Sequence, residues 1–541
     1  MIRHFRVAAM HAAWATLALL GLAGVCIARD ETPVIFIPAI TGSVLTQKSN
    51  GEIAWGELAA TNRNLGNTIW PIGQDEDARF DAPRILRKFS GYVFGGQRGY
   101  LEFDDKLKAI FKPRNFRDPR RYFPFPYDWR YSNLKTACQL RDRLNASGTK
   151  PFEDPGLAGR ARRDGVIIVA HSMGGIIANL FAHFYAPEGT LETAENPCPH
   201  QYKVRMIITI GTPHLGAATA LRWMVDKPAD WLMKNFKDVP EEQKRRLVYS
   251  VPAIWELMPS YAGCCLQREE GVVPNPDVED SLSIETWQRL GWLPAEVAAD
   301  PSWIAHVHKA LEKAKLIRKI MAIPLPSDVA VVNIAGLGTE TATTIFAGKQ
   351  FSNSAQGDDT VPAASADPGF PYPTNVRGRS ARSDHMGLVD DANVQRFLVK
   401  AIGLVGRPLV ELEAGIKDVG LPSTPVETLD GTEQAQLMNL RYSSSTLAPN
   451  SLTQVTFSAE KEVPRPDGTA VLERIANIDP DRIKVEIEFN DAIRVSHSPV
   501  EALSNGTYSV VFSAPPSPGT ITLKVTLPGG LNRSAVFVVA S

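Results

Sequence analysis

GVIIVAHSMGGIIANLFAHFY, residues 165–185, decides the reading of this chain. An unbroken apolar run rich in Val and Ile ends at Ala170, and a helix-like run opens near Gly174. A short run of that composition suits a strand buried on both faces, which implies a parallel sheet covered by helices. Ser172 falls in the turn between the two. At such a junction the turn strains the serine and lifts its hydroxyl clear of the sheet, and small residues at 170 and 174 leave room for close backbone packing. The five-residue pattern is weak by itself; the strand before it and the helix after it give it meaning. Ser172 is therefore the candidate nucleophile. His171, its neighbour, points another way on such a turn and reads as a residue packed against the sheet edge, not as a base.

Working outward, further short apolar runs at Val34–Ile37, Met206–Ile210 and Val329–Ala335 read as strands of the same sheet, and Ile176–Tyr185 and Asn393–Leu404 as covering helices. From about 215 to 326 the rhythm breaks into a tryptophan-rich insertion. Within it Ile304, Val307, Leu311, Ala314, Ile317 and Ile320 recur at helical spacing, with Lys309, Lys313, Lys315, Arg318 and Lys319 at other positions of the helix. A basic amphipathic helix can lie on a lipid surface, but the commoner arrangement, adopted here, is an apolar stripe in the core and a solvated charged face.

A serine hydroxyl needs a base, and the base needs an orienting carboxylate. In the α/β-hydrolase arrangement the chain order is Ser, then Asp or Glu, then His. GDDTVP at 357–362 and DHMGLVDD at 384–391 supply that order. Asp358 is preferred as the acid, with Asp359 and Asp384 as rivals, and His385 is the base. His306 and His308 precede the acid, in the wrong order, and read as surface or packing residues; His214, after a strand, is placed at the pocket wall. The negative oxygen of a tetrahedral intermediate needs preorganised donors. These are expected from the backbone N–H of Met173 and from the loop in VIFIPAITGS at 34–43, Ile40 first and Thr41 second.

The 541 residues allow two to four domains, and 44% hydrophobic with 22% charged residues is a globular balance. The net charge of −1 argues for no nucleic-acid partner. Arg3 and Arg6, an apolar stretch from about Val7 to Val25 and the small residue Ala28 read as a signal peptide, residues 1–28. That predicts export to a periplasm or beyond, in preference to an uncleaved anchor. Cys138, Cys198, Cys264 and Cys265 remain after cleavage, disulfides are then permissible, and their spacing is not that of a zinc site. After a linker at 407–447 the pattern changes to period two, at Leu452–Phe457, Ile483–Phe489, Tyr508–Phe512, Ile521–Val525 and Ala535–Val539, with turns at Asn505-Gly506, Pro518-Gly519 and Pro528-Gly529-Gly530. This predicts an immunoglobulin-like β-sandwich over 448–541.

Taken together, PVIFIPAITGS, PYDWR at 126–130, AHSMGG, TIGTPHLGA, IAGLGTET at 334–341, GDDTVP and DHMGL occur in an order that resembles the lecithin:cholesterol acyltransferase family, which includes related phospholipases. PYDWR has no reading from chemistry alone. The resemblance implies an α/β-hydrolase fold with a cap or lid over residues 32–406, the cap at about 215–326, and acyl transfer from a lipid ester to water or an alcohol. It assigns Ser172, Asp358 and His385 to the triad and Ile40 and Met173 to the oxyanion hole. Ala39 stands where the family usually has Gly, and the insertion is dissimilar, so lipid preference does not carry over. No cofactor or metal is expected. The partners expected are a lipid or acyl ester and, through the cap, a membrane surface. The competing expectation is a noncatalytic envelope protein that binds lipid or glycan on a hydrolase scaffold.

Overall fold

The computed structural model describes residues 32–88, 99–113, 119–226, 236, 238–261, 264–266, 280–326, 328–346, 351–354, 357–368, 379–405, 421, 426–428, 437–442, 446–464, 470–476, 478–490, 492–503, 506–527 and 532–539. The signal peptide read at 1–28, most of the linker and the turn at 528–530 lie outside these residues.

Six strands form the central sheet: β1 (Val34–Ile37), β2 (Tyr122–Pro124), β3 (Val166–His171), β4 (Val204–Ile210), β5 (Ala330–Gly336) and β6 (Arg379–Ala381). Their order across the sheet is β6-β5-β4-β3-β1-β2, and every pairing is parallel. The apolar runs are continuous because both faces are covered. Ile35, Ile37, Val166, Ile168 and Ala170 enter one core, and Val34, Phe36, Ile167 and Val169 enter the other. Helices α1 (Leu101–Ile110), α2 (Asn133–Asn145), α3 (Gly174–His183), α4 (Pro301–Met321) and α5 (Ala392–Ile402) supply the cover. α2 and α3 pack on the first face, α1 and α5 on the second. α5 shows the local logic: Asp391 accepts hydrogen bonds from the N–H groups of Asn393 and Val394 as N-cap, and Val394, Phe397, Leu398, Ala401 and Ile402 form its buried stripe.

The segment between β4 and β5 shares the first core with the sheet. α4 begins at the Asp300 cap and Pro301, and buries Trp303, Val307, Leu311, Ala314, Ile317 and Ile320. Lys309 and Lys313 pair with Asp75, Lys315 with Glu312 and Lys319 with Glu195. Exposed ion pairs of this kind contribute about 0–1 kcal/mol each, against about 1.5–3 kcal/mol for a fully buried aliphatic side chain. The apolar stripe therefore sets the helix's orientation, and it faces the core. Arg318 departs from the expected solvated face. It is buried and donates to the Glu256 and Met258 carbonyls and to Ser260 Oγ, because the short helix Pro252–Trp255 ends there with carbonyls that need donors. No described helix is long and apolar enough to cross a membrane.

The C-terminal region is strand-rich, in two sheets around a separate core that includes Val455, Phe457, Val510, Ile521, Leu523 and Phe537. The long strand Leu452–Pro464 pairs antiparallel with Leu437–Tyr442, Ala470–Ala476 and Thr507–Ser513, and Gly519–Thr526 with Lys484–Phe489 and Asn532–Val539. Leu437–Tyr442 and Thr446–Leu447 fall in the stretch read as a linker, yet both pair into these sheets. Both are too short for their alternation to mark them, and only their partners make them strands. We therefore move the proposed start of the sandwich to before Leu437.

Cys138 on α2 is bonded to Cys198, with Cα atoms 5.6 Å apart, and the adjacent Cys264 and Cys265 are bonded to each other. The first bridge spans a sequence separation of 60 residues. Closing a loop of that length removes about 4 kcal/mol of unfolded-chain entropy in the simple chain model. Cys138→Ala with Cys198→Ala should therefore lower the thermal unfolding midpoint markedly; an unchanged midpoint in differential scanning calorimetry would show that the bridge constrains little.

Candidate active site

β3 delivers Ser172 to the end of the sheet, and α3 leaves from it. Ser172 has φ 54°, the left-handed region that an L-residue enters only under constraint. Its N–H donates to the Ile210 carbonyl at 2.8 Å, and its own carbonyl accepts from Gly175 N–H at 3.0 Å. Two glycines allow α3 to start so close. A Cβ on Gly174 would strike the Ile37 and Pro38 carbonyls, and one on Gly175 would strike the Thr212 side chain. Ala170 is tolerated because the backbone at that position stays in the ordinary strand, paired with Ile37 and Thr209.

The structure brings Ser172, His385 and Asp358 together in one hydrogen-bonded line. Ser172 Oγ lies 2.9 Å from His385 Nε2, and His385 Nδ1 lies 2.8 Å from Asp358 Oδ2. The other carboxylate oxygen of Asp358 accepts from the N–H groups of Val361 at 2.7 Å and Thr360 at 3.1 Å. Its orientation is thus locked by its own turn. Gly211, at φ 56°, provides the space: a Cβ there would sit 2.9 Å from Asp358 Oδ2 and 3.2 Å from His385 Nδ1.

The rival carboxylates do other work. Asp359 is exposed, at φ 78°, and accepts from Thr360 Oγ1. Asp384 accepts from Gly387 N–H at 2.6 Å, at the start of the short helix Gly387–Asp390. His306 is buried and bonded to the Ser250 carbonyl, while His308 is exposed. His214 is wholly buried, meets Thr209 Oγ1 at 3.3 Å and is pushed down to about 3 by burial, so it is a neutral interior residue. His385 differs from these. Burial alone would lower it, but the charge and hydrogen bond of Asp358, with Asp359 and Asp384 behind, outweigh burial and raise it above 6.5.

The loop at 38–43 is held on several sides. Tyr127 Oη donates to the Pro38 carbonyl, Tyr127 N–H to Ser43 Oγ, and Trp55 Nε1–H to the Thr41 carbonyl. Ala39 N–H donates to Tyr100 Oη. Among the described residues nothing takes up the N–H of Ile40 or that of Met173, the two groups expected at the oxyanion hole. Thr41 carries φ 60° instead. PYDWR now has a physical reading. Tyr127 clamps the loop, and Trp129 packs edge-on against Trp55, which holds the loop's other end. Arg130, fully buried, ties Asp128 to Asp77 at 2.6 and 2.7 Å. Tyr100 and the bonding role of His171 carried no signal in the sequence: Tyr100 belongs to no motif, and its partners are 61 and 71 residues away.

The family model of lecithin:cholesterol acyltransferase matches residues 114–297. A search of curated proteins returned no match. Among solved structures, the Tle4–Tli4 complex is 14% identical with a TM-score of 0.39, over 72% of this chain and 98% of that one. Staphylococcus hyicus lipase is 12% identical with a TM-score of 0.32, over 72% and 95%. Phospholipase PlaB from Legionella pneumophila is 10% identical with a TM-score of 0.31, over 94% and 90%. The family match covers PYDWR, AHSMGG and TIGTPHLGA, so the motifs and the match agree: this chain is similar to the lecithin:cholesterol acyltransferase family.

Proposed function

We propose that this protein is an exported, serine-dependent lipid ester hydrolase or O-acyltransferase that works through an acyl-enzyme on Ser172. The observation that carries the reading is the unbroken Ser172–His385–Asp358 line, with contacts of 2.9 and 2.8 Å. Asp358 accepts a hydrogen bond from the Nδ1–H of His385, which leaves Nε2 as the acceptor facing the serine hydroxyl. As Oγ attacks an ester carbonyl, its proton passes to Nε2 and the electron pair moves onto the carbonyl oxygen. The free N–H groups of Ile40 and Met173 are the proposed donors to that oxygen. Collapse expels the alcohol or lysolipid, which takes the proton from Nε2. Water or an acceptor alcohol then attacks the acyl-enzyme as it gives its proton to His385 Nε2, and on collapse Ser172 Oγ leaves with that proton, releasing the acid or new ester.

The same proposal divides the chain into a hydrolase domain over 32–406, a cap at about 215–326 and the C-terminal sandwich. Any lipid-surface contact by the cap would have to use residues other than the inward stripe of α4. Export is supported by the Cys138–Cys198 bridge, since disulfides persist in oxidising compartments.

Ser172→Ala, compared with the unaltered protein on a panel of acyl esters and phospholipids with and without a lipid alcohol, tests the reading. Serine-dependent fatty-acid release identifies a hydrolase, and serine-dependent ester formation on the alcohol identifies a transferase. Identical product traces from both folded proteins would sink the reading and favour a binding protein.

The pH dependence has a definite sign. A general base must be unprotonated, so kcat/KM should fall as pH drops through the raised His385 pKa, with an acid limb above 6.5. Asp358→Asn should shift that limb downward and cost about 10⁴-fold in rate, the scale seen for the matching change in serine proteases. A limb unmoved by Asp358→Asn would remove Asp358 from the assignment.

A further inference from the structure

A second hydrogen-bonded chain, outside the three residues above, joins the oxyanion loop to the base. Tyr100 is buried just before α1, edge-on to Phe36 at 5.1 Å between ring centres. Its oxygen accepts from Ala39 N–H at 2.8 Å. Its single proton is then available for His171 Nδ1, 2.7 Å away. With Nδ1 accepting, the imidazole proton of His171 belongs on Nε2, which donates to the main-chain carbonyl of His385 at 3.0 Å. Burial raises the Tyr100 phenol, so it keeps its proton. Burial, and then the charge on His385, lower His171 well below 6.5, so its ring stays neutral.

Each link therefore has one direction: Ala39 N–H to Tyr100, Tyr100 O–H to His171, His171 N–H to the His385 carbonyl. A protonated His171 would donate from both nitrogens and leave the Tyr100 proton without an acceptor. One end of the chain is the residue before Ile40. The other is the backbone of the residue whose ring spans Ser172 and Asp358.

We infer that Tyr100 and His171 are positioning residues that hold the oxyanion loop and the general base in a single register. This rests on the Ser172–His385–Asp358 reading of the site. Neither side chain need touch substrate; they act through Ala39 and through His385. Without the relay, the N–H of Ile40 and Nε2 of His385 would move independently, and a misplacement of about 1 Å costs a reaction of this type on the order of 100-fold.

The test uses the full chain and four variants: Tyr100→Phe, His171→Leu, His171→Gln and Ser172→Ala. For each, kcat and KM on one ester substrate and the thermal unfolding midpoint would be measured. Tyr100→Phe and His171→Leu should lower kcat about 10- to 100-fold with KM little changed. His171→Gln keeps an N–H donor for the His385 carbonyl and should recover a large part of the loss. Wild-type kcat in Tyr100→Phe would overturn the relay. So would an equal loss in His171→Gln and His171→Leu that tracks their unfolding midpoints, since packing alone would then explain it. Activity surviving in Ser172→Ala would instead overturn the triad reading, and the relay with it.

Discussion

The left-handed turn at Ser172 is the constraint on which the rest of the site depends. A fully buried strand hands over to an almost fully buried helix within two residues, and the path taken puts a non-glycine residue at φ 54°. That path exists because Gly174 can touch the Ile37 and Pro38 carbonyls and Gly175 can touch Thr212. The strain is held in place by hydrogen bonds from Ser172 N–H to the neighbouring strand β4 and from Gly175 N–H back to the serine. Strain of this kind costs of order 1–3 kcal/mol and survives only when the surroundings over-determine it. Here two sheet neighbours and a buried helix do so.

The turn also explains why distant segments converge. Gly174 lies on the loop that begins at Pro38, so the proposed nucleophile and the proposed oxyanion donors share one contact surface. That loop is clamped by Tyr127, Trp55 and Tyr100, three aromatic residues from three different parts of the chain. On the other side, Gly211 lets Asp358 and His385 approach the end of β4. The buried ion cluster of Arg130 with Asp77 and Asp128 lies behind this arrangement. Burial, which alone would weaken the charge on Arg130, is outweighed by the two carboxylates. Removing one partner of such a cluster leaves an uncompensated charge, which is far costlier than replacing the whole cluster.

The remainder of the molecule obeys simpler rules. The segment between β4 and β5 adds tryptophans to the core on one sheet face, with Trp255, Trp287 and Trp292 meeting edge to face. The C-terminal sheets enclose a core of their own, and their strands alternate as a two-layer packing requires.

The sequence by itself determined the parallel sheet, its covering helices and the two-layer C-terminal region, and it offered Ser172, Asp358 and His385 as candidates in that order. The first three rest on local composition and periodicity, which survive without knowledge of what lies nearby, and the candidates rest on motifs and their order along the chain. The tertiary structure set Asp358 apart from its rivals: its carboxylate lies 2.8 Å from His385 Nδ1, while Asp359 is exposed and Asp384 accepts from Gly387 N–H at the start of a short helix. It alone turned Arg318 inward, since the carbonyls that need its protons are about 60 residues away. It alone joined Tyr100 to His171 and made strands of Leu437–Tyr442 and Thr446–Leu447, whose own alternation is too short to declare itself. Hydrogen bonds between distant segments leave no period in a sequence, so Tyr100 and the bonding role of His171 were what it concealed.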